Sequence, residues 1–198
     1  HHEALKKLMK LFNLNEVPNR VEVYDNSHTF GKESVGVMIV VDGEGFSPKN
    51  YRKYNIRYDD KATNPASVDD YYMMKEVLSR RLKTKKGKEE IIMPDIIMVD
   101  GGRGQYNAVA KVLRDSHHDT ISLMSVSKGK ERNAGREIIH LNNRNLNLQP
   151  NDPLLFFIQR IRDEAHRFAI TAHRSRRGKR SVQSVFDELP GIGPKRKK

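Results

Sequence analysis

Two aspartates close strand-like runs. Val21-Glu22-Val23-Tyr24 alternates apolar and polar residues up to Asp25, and Ile96-Ile97-Met98-Val99 leads to Asp100, with Gly101 and Gly102 directly after it. Acids at the ends of neighbouring buried strands converge on one rim of a sheet, where like charges repel unless a cation lies between them. All-oxygen ligation of that kind selects Mg²⁺ or Mn²⁺. A single aspartate at a strand end is more often a turn residue or a helix cap. Two in the same setting, each followed by small or polar residues, are candidate metal ligands. His166 adds a titratable group, in Arg162-Asp163-Glu164-Ala165-His166-Arg167-Phe168. It lies beside the apolar stripe of a long helix, where it either packs or acts as a general base, since imidazole titrates near neutral pH. His28 and His173 are alternatives for the same role.

A second constellation is built for phosphate. Gly191-Ile192-Gly193 lies between Pro190 and Pro194 and is followed by Lys195, Arg196, Lys197 and Lys198. Glycines let the backbone approach a phosphate, and free N–H groups at a following helix start grip it. The alternative is a flexible tail. Upstream, Arg174, Arg176, Arg177, Lys179 and Arg180 surround Gly178 in an almost wholly basic stretch, expected to be mobile without a partner. From Arg160 to Lys198 the net charge is +8, which leaves only +4 for the rest of a chain whose total is +12. Excess charge gathered in one stretch is an electrostatic footprint for a polyanion, most often nucleic acid. A solubilising basic tail is the plainer alternative.

The chain that must position these groups has 198 residues, long enough for one sizeable domain with its own core. It contains no cysteine, which excludes disulfides, thiolate metal sites and cysteine nucleophiles. Mean hydropathy is −0.75. No apolar run reaches the roughly 18–20 residues of a membrane span. A soluble, cytoplasmic protein with no membrane contact is the expectation.

Leu5, Leu8, Leu11 and Phe12 have helical spacing, and Pro18 closes that segment. Strands are predicted over Val21–Asp25, Val35–Val41 and Tyr51–Tyr58, with gaps short enough for an antiparallel meander. Val35–Val41 is a continuous stretch without a polar side chain, rich in β-branched residues, as in a strand covered on both faces. A helix follows over Val68–Leu82, then a central strand after Pro94 and a helix over Gln105–Arg114. Short strands are predicted at Ile121–Val126 and Glu137–Leu141, and the Asn-rich stretch Asn142–Asn151 is predicted as loop. Pro153 to about His173 is the clearest helix, capped by Asp152. A short helix is expected over Val182–Leu189. Strands with helices on the later half imply a mixed α/β domain around one sheet.

Four segments together resemble a known family. They are Tyr24-Asp25-Asn26-Ser27-His28-Thr29, Asp69-Asp70-Tyr71-Tyr72-Met73-Met74, Pro94 through Gln105, and Arg162 through Ile170. In order and spacing they are similar to the C-terminal endonuclease half of UvrC, the nuclease subunit of bacterial excision repair. Leu189-Pro190-Gly191-Ile192-Gly193-Pro194-Lys195 resembles the first hairpin of that family's helix–hairpin–helix element.

The resemblance implies a ribonuclease H-like fold, a mixed sheet flanked by helices, and DNA incision 5′ of a lesion. It implies an Asp–Asp–His set matching Asp25, Asp100 and His166, a further acid matching Asp70, and Mg²⁺ or Mn²⁺ on Asp25 and Asp100. The expected partners are damaged double-stranded DNA and UvrB, the latter through a region outside this chain, and the chain is expected to be a monomeric fragment. The implied division is an N-terminal helix and linker over 1–20, the endonuclease domain over 21–175, and a basic linker with one hairpin over 176–198. DNA contacts are expected at Arg174, Arg176, Arg177, Lys179, Arg180, Gly191, Ile192, Gly193, Lys195 and Arg196. The competing readings are a non-catalytic basic nucleic-acid-binding module and a junction-resolvase-like nuclease.

Overall fold

The computed structural model describes residues 1–28, 34–56, 70–83, 92–129 and 137–188, with side chains outside 26–28, 34, 70–71 and 172–188. The elements in order are α1 (His2–Phe12), β1 (Arg20–His28), β2 (Ser34–Asp42), β3 (Gly45–Phe46), β4 (Arg52–Ile56), α2 (Asp70–Leu82), β5 (Ile96–Asp100), α3 (Arg103–Asp115), β6 (Ser122–Ser127), β7 (Ile138–His140), β8 (Asn145–Asn147) and α4 (Pro153–Glu188). Among the described residues they form one mixed sheet in the order β3-β2-β1-β5-β6-β7-β8, with β4 also pairing on β2. β1, β2 and β4 form the expected antiparallel meander. β5 then joins β1 in parallel, and β6 joins β5 in parallel. This is the mixed α/β architecture that the sequence implied, with helices on both faces.

Side-chain alternation along each strand decides which helix it meets. Val21, Val23, Ile39, Val41, Ile96, Met98, Met124 and Val126 pack on one face with α1 and α4. Tyr24, Met38, Val40, Ile97, Val99 and Leu123 pack on the other with α2 and α3. Both faces of β2 are therefore buried, as its stretch without polar side chains predicts. The residues after Val23 and Met98 in the first set are Asp25 and Asp100. By parity both belong to the α4 face.

Glu22 points the opposite way and is fully buried. Arg20 Nε donates to it at 2.8 Å, Arg81 Nη2 at 2.7 Å and the Tyr24 hydroxyl at 2.7 Å. Arg81 lies on α2, so this neutralised cluster ties α2 to the centre of the sheet. A buried carboxylate is tolerable when its charge is paired and its lone pairs are occupied.

Three features differ from the sequence reading. β8 forms inside the Asn-rich stretch expected as loop, pairing with β7 through backbone groups that need no apolar side chains. The segment Arg174–Arg180 is not a break: α4 is helical without interruption from Pro153 to Glu188. Arg and Lys are good helix formers, and one interior glycine costs only about 1 kcal/mol. Finally, α1 is no bare leader. Ala4, Leu5 and Leu8 are buried in the core shared with α4, and Lys7 Nζ reaches the cap residue Asp152 at 2.8 Å. The expected helix start of α4 is present, with Asp152 Oδ1 accepting the Leu154 N–H at 2.8 Å. The glycine hairpin Leu189–Lys195 lies outside the described residues.

Burial of α1 has a measurable consequence. Leu8→Ala removes a fully buried side chain and should destabilise the chain by about 2–4 kcal/mol in urea unfolding. A loss under about 0.5 kcal/mol would make α1 an accessory segment.

Candidate active site

Parallel pairing places the two acids side by side. The β1–β5 register runs to Tyr24 opposite Val99, and the next residue on each strand is Asp25 and Asp100. Parallel neighbours lie about 4.8 Å apart, so two carboxylates on the same face there must interact. The chain then leaves the sheet through Gly101 and Gly102, and Gln105 Oε1 accepts the Gly102 N–H at 3.0 Å to start α3. Asp100 is thus fixed by a short strand on one side and a capped helix on the other.

α4 supplies the remaining groups as it crosses the sheet. Gln159 Nε2 donates to Glu137, next to β7, at 3.1 Å. Arg162 donates to Asp100 Oδ1 at the end of β5, through Nη2 at 2.8 Å and Nε at 3.0 Å. Its Nη1 is 3.8 Å from Glu137, which is itself buried. One turn further, His166 Nδ1 lies 3.6 Å from Asp25 Oδ2 on β1. Next, Ala169 packs on Val35 and Val37 of β2.

The two acids are not equivalent. Asp100 shares a charge-assisted pair with Arg162. Asp25 is buried, and its Oδ2 has no hydrogen-bond partner, since 3.6 Å is too long for a bond to His166. Burial, reinforced by the charge of Asp100, pushes the Asp25 carboxyl up to about 6, against the smaller opposing pull of His166 and Arg162. His166 is two-thirds exposed, with its side chain at 68 % relative accessibility, so one edge of the site is open to solvent.

These observations test whether a divalent cation suits the residues. An orphaned buried carboxylate oxygen beside a second carboxylate is a hard-oxygen donor set with too little positive charge around it. Among the described residues no group of three His, Cys, Asp or Glu could by itself hold a metal ion. Mg²⁺-type sites use one or two carboxylates and leave the remaining positions to water and substrate phosphate. The donor set fits the ion.

Asp25, Asp100 and His166 are therefore brought together. Asp70 opens α2, which packs against the other face of the sheet, and its side chain is not among those described. The same holds for the side chains of His28, His173 and the basic residues Arg174–Arg180. Gly191, Ile192, Gly193, Lys195 and Arg196 lie outside the described residues. Arg162 and Glu137 were not singled out by sequence reasoning. The available signal for Arg162 was its position four residues before His166, on the same helical face. An open groove of about 520 Å³ is bounded by Phe12, Tyr106, Leu113, Arg114 and Arg144, and none of the three site residues lines it. Asp100 closes β5 as expected, whereas β1 runs on past Asp25 to His28, so the acids meet where the parallel pairing of β1 and β5 stops.

Comparison with known proteins gives the family. Residues 9–170 match the UvrC RNAse H endonuclease domain. The chain belongs to that family. It is 46% identical over 201 residues to UvrABC system protein C of Zymomonas mobilis, covering 99% of this chain and 30% of that protein. The corresponding protein of Paramagnetospirillum magneticum is 47% identical, with 99% and 32% covered. The chain thus spans about a third of the length of these curated relatives. Among solved structures, Ciona intestinalis endonuclease V in complex with an inosine-containing 23-mer DNA is similar at TM-score 0.41 and 16% identity. That match covers 64% of this chain and 56% of the other. Among the described residues no helix is long and apolar enough to cross a membrane.

The Asp25 shift carries a sign that can be measured. Its carboxyl titrates near 6 in the folded chain and at its ordinary 3.8 when unfolded. Between those values the native state keeps a proton that the unfolded state has lost, so this group's contribution falls as pH rises from about 4 to about 6. Asp25→Asn removes that cost. In chelator at pH 7.5 the variant should be more stable than the parent by on the order of 1–3 kcal/mol in urea unfolding, with the gap closing by pH 4. A variant less stable at pH 7.5 would mean that the carboxylate supports the fold.

Proposed function

We propose that this domain is the nuclease that cuts DNA on the 5′ side of a lesion in excision repair, using Mg²⁺ or Mn²⁺. The observation that carries the reading is Asp25 and Asp100 side by side on adjacent parallel strands, with an unpartnered Asp25 oxygen and His166 within 3.6 Å of it. Family membership supplies the reaction class.

In this reading Asp25 and Asp100 Oδ2 hold the cation, while Arg162 keeps Asp100 Oδ1 occupied and its carboxylate fixed. A bound divalent ion would offset the phosphate charge and acidify the attacking water. His166 turns Nδ1 toward Asp25, and its Nε2 takes the proton from that water. Asp25 in turn stabilises the imidazolium that forms, as a carboxylate beside a cationic ring does. Exposure of His166 lets the proton return to solvent after each turnover. Asp70 serves as an outer residue that orients water or a basic side chain near the site.

Binding falls to the C-terminal part of the chain. Arg174, Arg176, Arg177, Lys179 and Arg180 lie on two turns of the α4 extension and contact the duplex backbone. The Gly191-Ile192-Gly193 hairpin with Lys195 and Arg196 adds a second phosphate grip. The domain acts as a monomer within the larger protein, which meets UvrB through a segment outside this chain.

The test is nicking of supercoiled DNA in Mn²⁺, with and without chelator. Asp25→Asn and Asp100→Asn should each abolish nicking while duplex affinity stays near that of the parent. His166→Ala should slow it by about 10²–10⁴-fold, the usual range for a lost general base. Nicking at the parent rate by Asp25→Asn would overturn the metal assignment, and full activity in His166→Ala would move the base elsewhere.

A further inference from the structure

The sheet register places one more cation beside the acids. Asp25 on β1 lies opposite Val37 on β2, and Val37 lies opposite Lys53 on β4. Residues directly opposite in antiparallel pairs share a face. Asp25, Val37 and Lys53 therefore form one row across the α4 face, and two strand spacings put Lys53 about 10 Å from Asp25 along it.

The Lys53 side chain is also held in place. Its Nζ sits 4.8 Å from the centre of the Phe168 ring, two residues along α4 from His166. Tyr51 meets Phe168 edge-on at 5.0 Å, which fixes the plane of the ring. Glu164, the acid on this stretch of α4, is already engaged: Arg167 donates to both of its oxygens at 2.7 Å, and the Tyr51 hydroxyl donates at 3.1 Å. Lys53 itself is exposed. An ammonium that rests on an aromatic face and opens to solvent keeps its charge for a ligand.

We propose that Lys53 is a phosphate-binding residue: it contacts a DNA backbone phosphate neighbouring the scissile one, so that the strand crosses the site along the row Asp25, Val37, Lys53. This rests on the nuclease reading for the position of the scissile phosphate. Lys53 binds and orients the strand and takes no part in proton transfer. An edge-strand lysine that merely blocks strand pairing would sit equally well on β4, and the two roles differ in how binding responds to salt.

The experiment is fluorescence anisotropy of a labelled DNA duplex with the chain in chelator, repeated over a salt series, for the parent, Lys53→Gln and Lys53→Arg. Each neutralised phosphate contributes about 0.9 to the slope of log affinity against log salt. Lys53→Gln should lower that slope by about 0.9 and weaken binding by roughly five- to tenfold at 0.1 M salt. Lys53→Arg should keep the parent slope. In Mn²⁺ nicking assays, Lys53→Gln should raise KM and leave kcat unchanged. An unchanged salt slope in a Lys53→Gln chain with parent thermal stability would overturn the proposal, as would a parent chain whose DNA binding does not depend on salt. If Asp25→Asn still nicks while Lys53→Gln loses slope, the nuclease assignment fails and the phosphate contact stands. If Asp25→Asn is silent and the slope does not move, the reverse holds.

Discussion

Asp25 is a buried carboxylate with one oxygen left unpartnered, placed beside a second carboxylate by a parallel strand pairing. Three residues earlier on the same strand, Glu22 is buried more deeply and yet fully engaged by Arg20, Arg81 and Tyr24. The two acids show what the fold can do and where it does not do it. On the α2 face the charge is closed off and becomes an anchor. On the α4 face Arg162 bonds Asp100, the exposed His166 lies 3.6 Å from Asp25, and Lys53 stands two strands away along the same row. The electrostatic deficit at Asp25 is held by hydrophobic packing on either side, because Val23 and Met98 sit directly beneath the acids in a dry core.

The match between helix and sheet makes that arrangement possible. One helical turn advances about 5.4 Å, close to the 4.8 Å between strands. A helix laid across the strands therefore presents one side chain per turn to one strand after another. Arg162, His166 and Ala169 do this in order, meeting Asp100 on β5, Asp25 on β1, and Val35 and Val37 on β2, while Gln159 reaches Glu137 ahead of β7 on the far side of β6. Spacings of three and four residues in the sequence become steps across the sheet. The apolar residues Ile158, Ile161 and Ala165 on the same helix seat it on the core, so the polar steps inherit the rigidity of the packing.

This explains what could be read from the sequence. Asp100 was legible because alternation marks its face and the following glycines mark the exit of β5; for Asp25 alternation marked the face, while β1 ends three residues later than expected, at His28. The mixed α/β plan around one sheet followed from the order of strand-like and helical patterns. Arg162 and Lys53 were not legible as partners of the site, since each depends on a register: that of α4 over the strands, and that of β4 on β2. β8 was missed because Asn145–Asn147 is only three residues long and lies among asparagines, although Leu146 packs on the core and the strand pairs with β7. The basic stretch from Arg174 read as a break because its charge suggested solvation. Charge of one sign at consecutive positions does not prevent a helix that is already nucleated by twenty packed residues before it.

The continuity of α4 bears on how the site and the basic segment could act together. A helix of 36 residues is about 54 Å long, and only its first half crosses the sheet. The residues after Ala169 carry the helix past β2, on the side where β4 and Lys53 lie. The positive charge of Arg174–Arg180 therefore extends the same axis that delivers Arg162 and His166, instead of hanging from a hinge. A polyanion drawn to that extension would be led along α4 toward the rim where Asp25 and Asp100 stand. Two carboxylates repel such a ligand unless a cation intervenes, so basic residues beyond the rim and an acid pair at it are complementary requirements. Attraction at a distance would bring the strand in, while the unpartnered oxygen of Asp25 leaves negative charge uncompensated where it arrives.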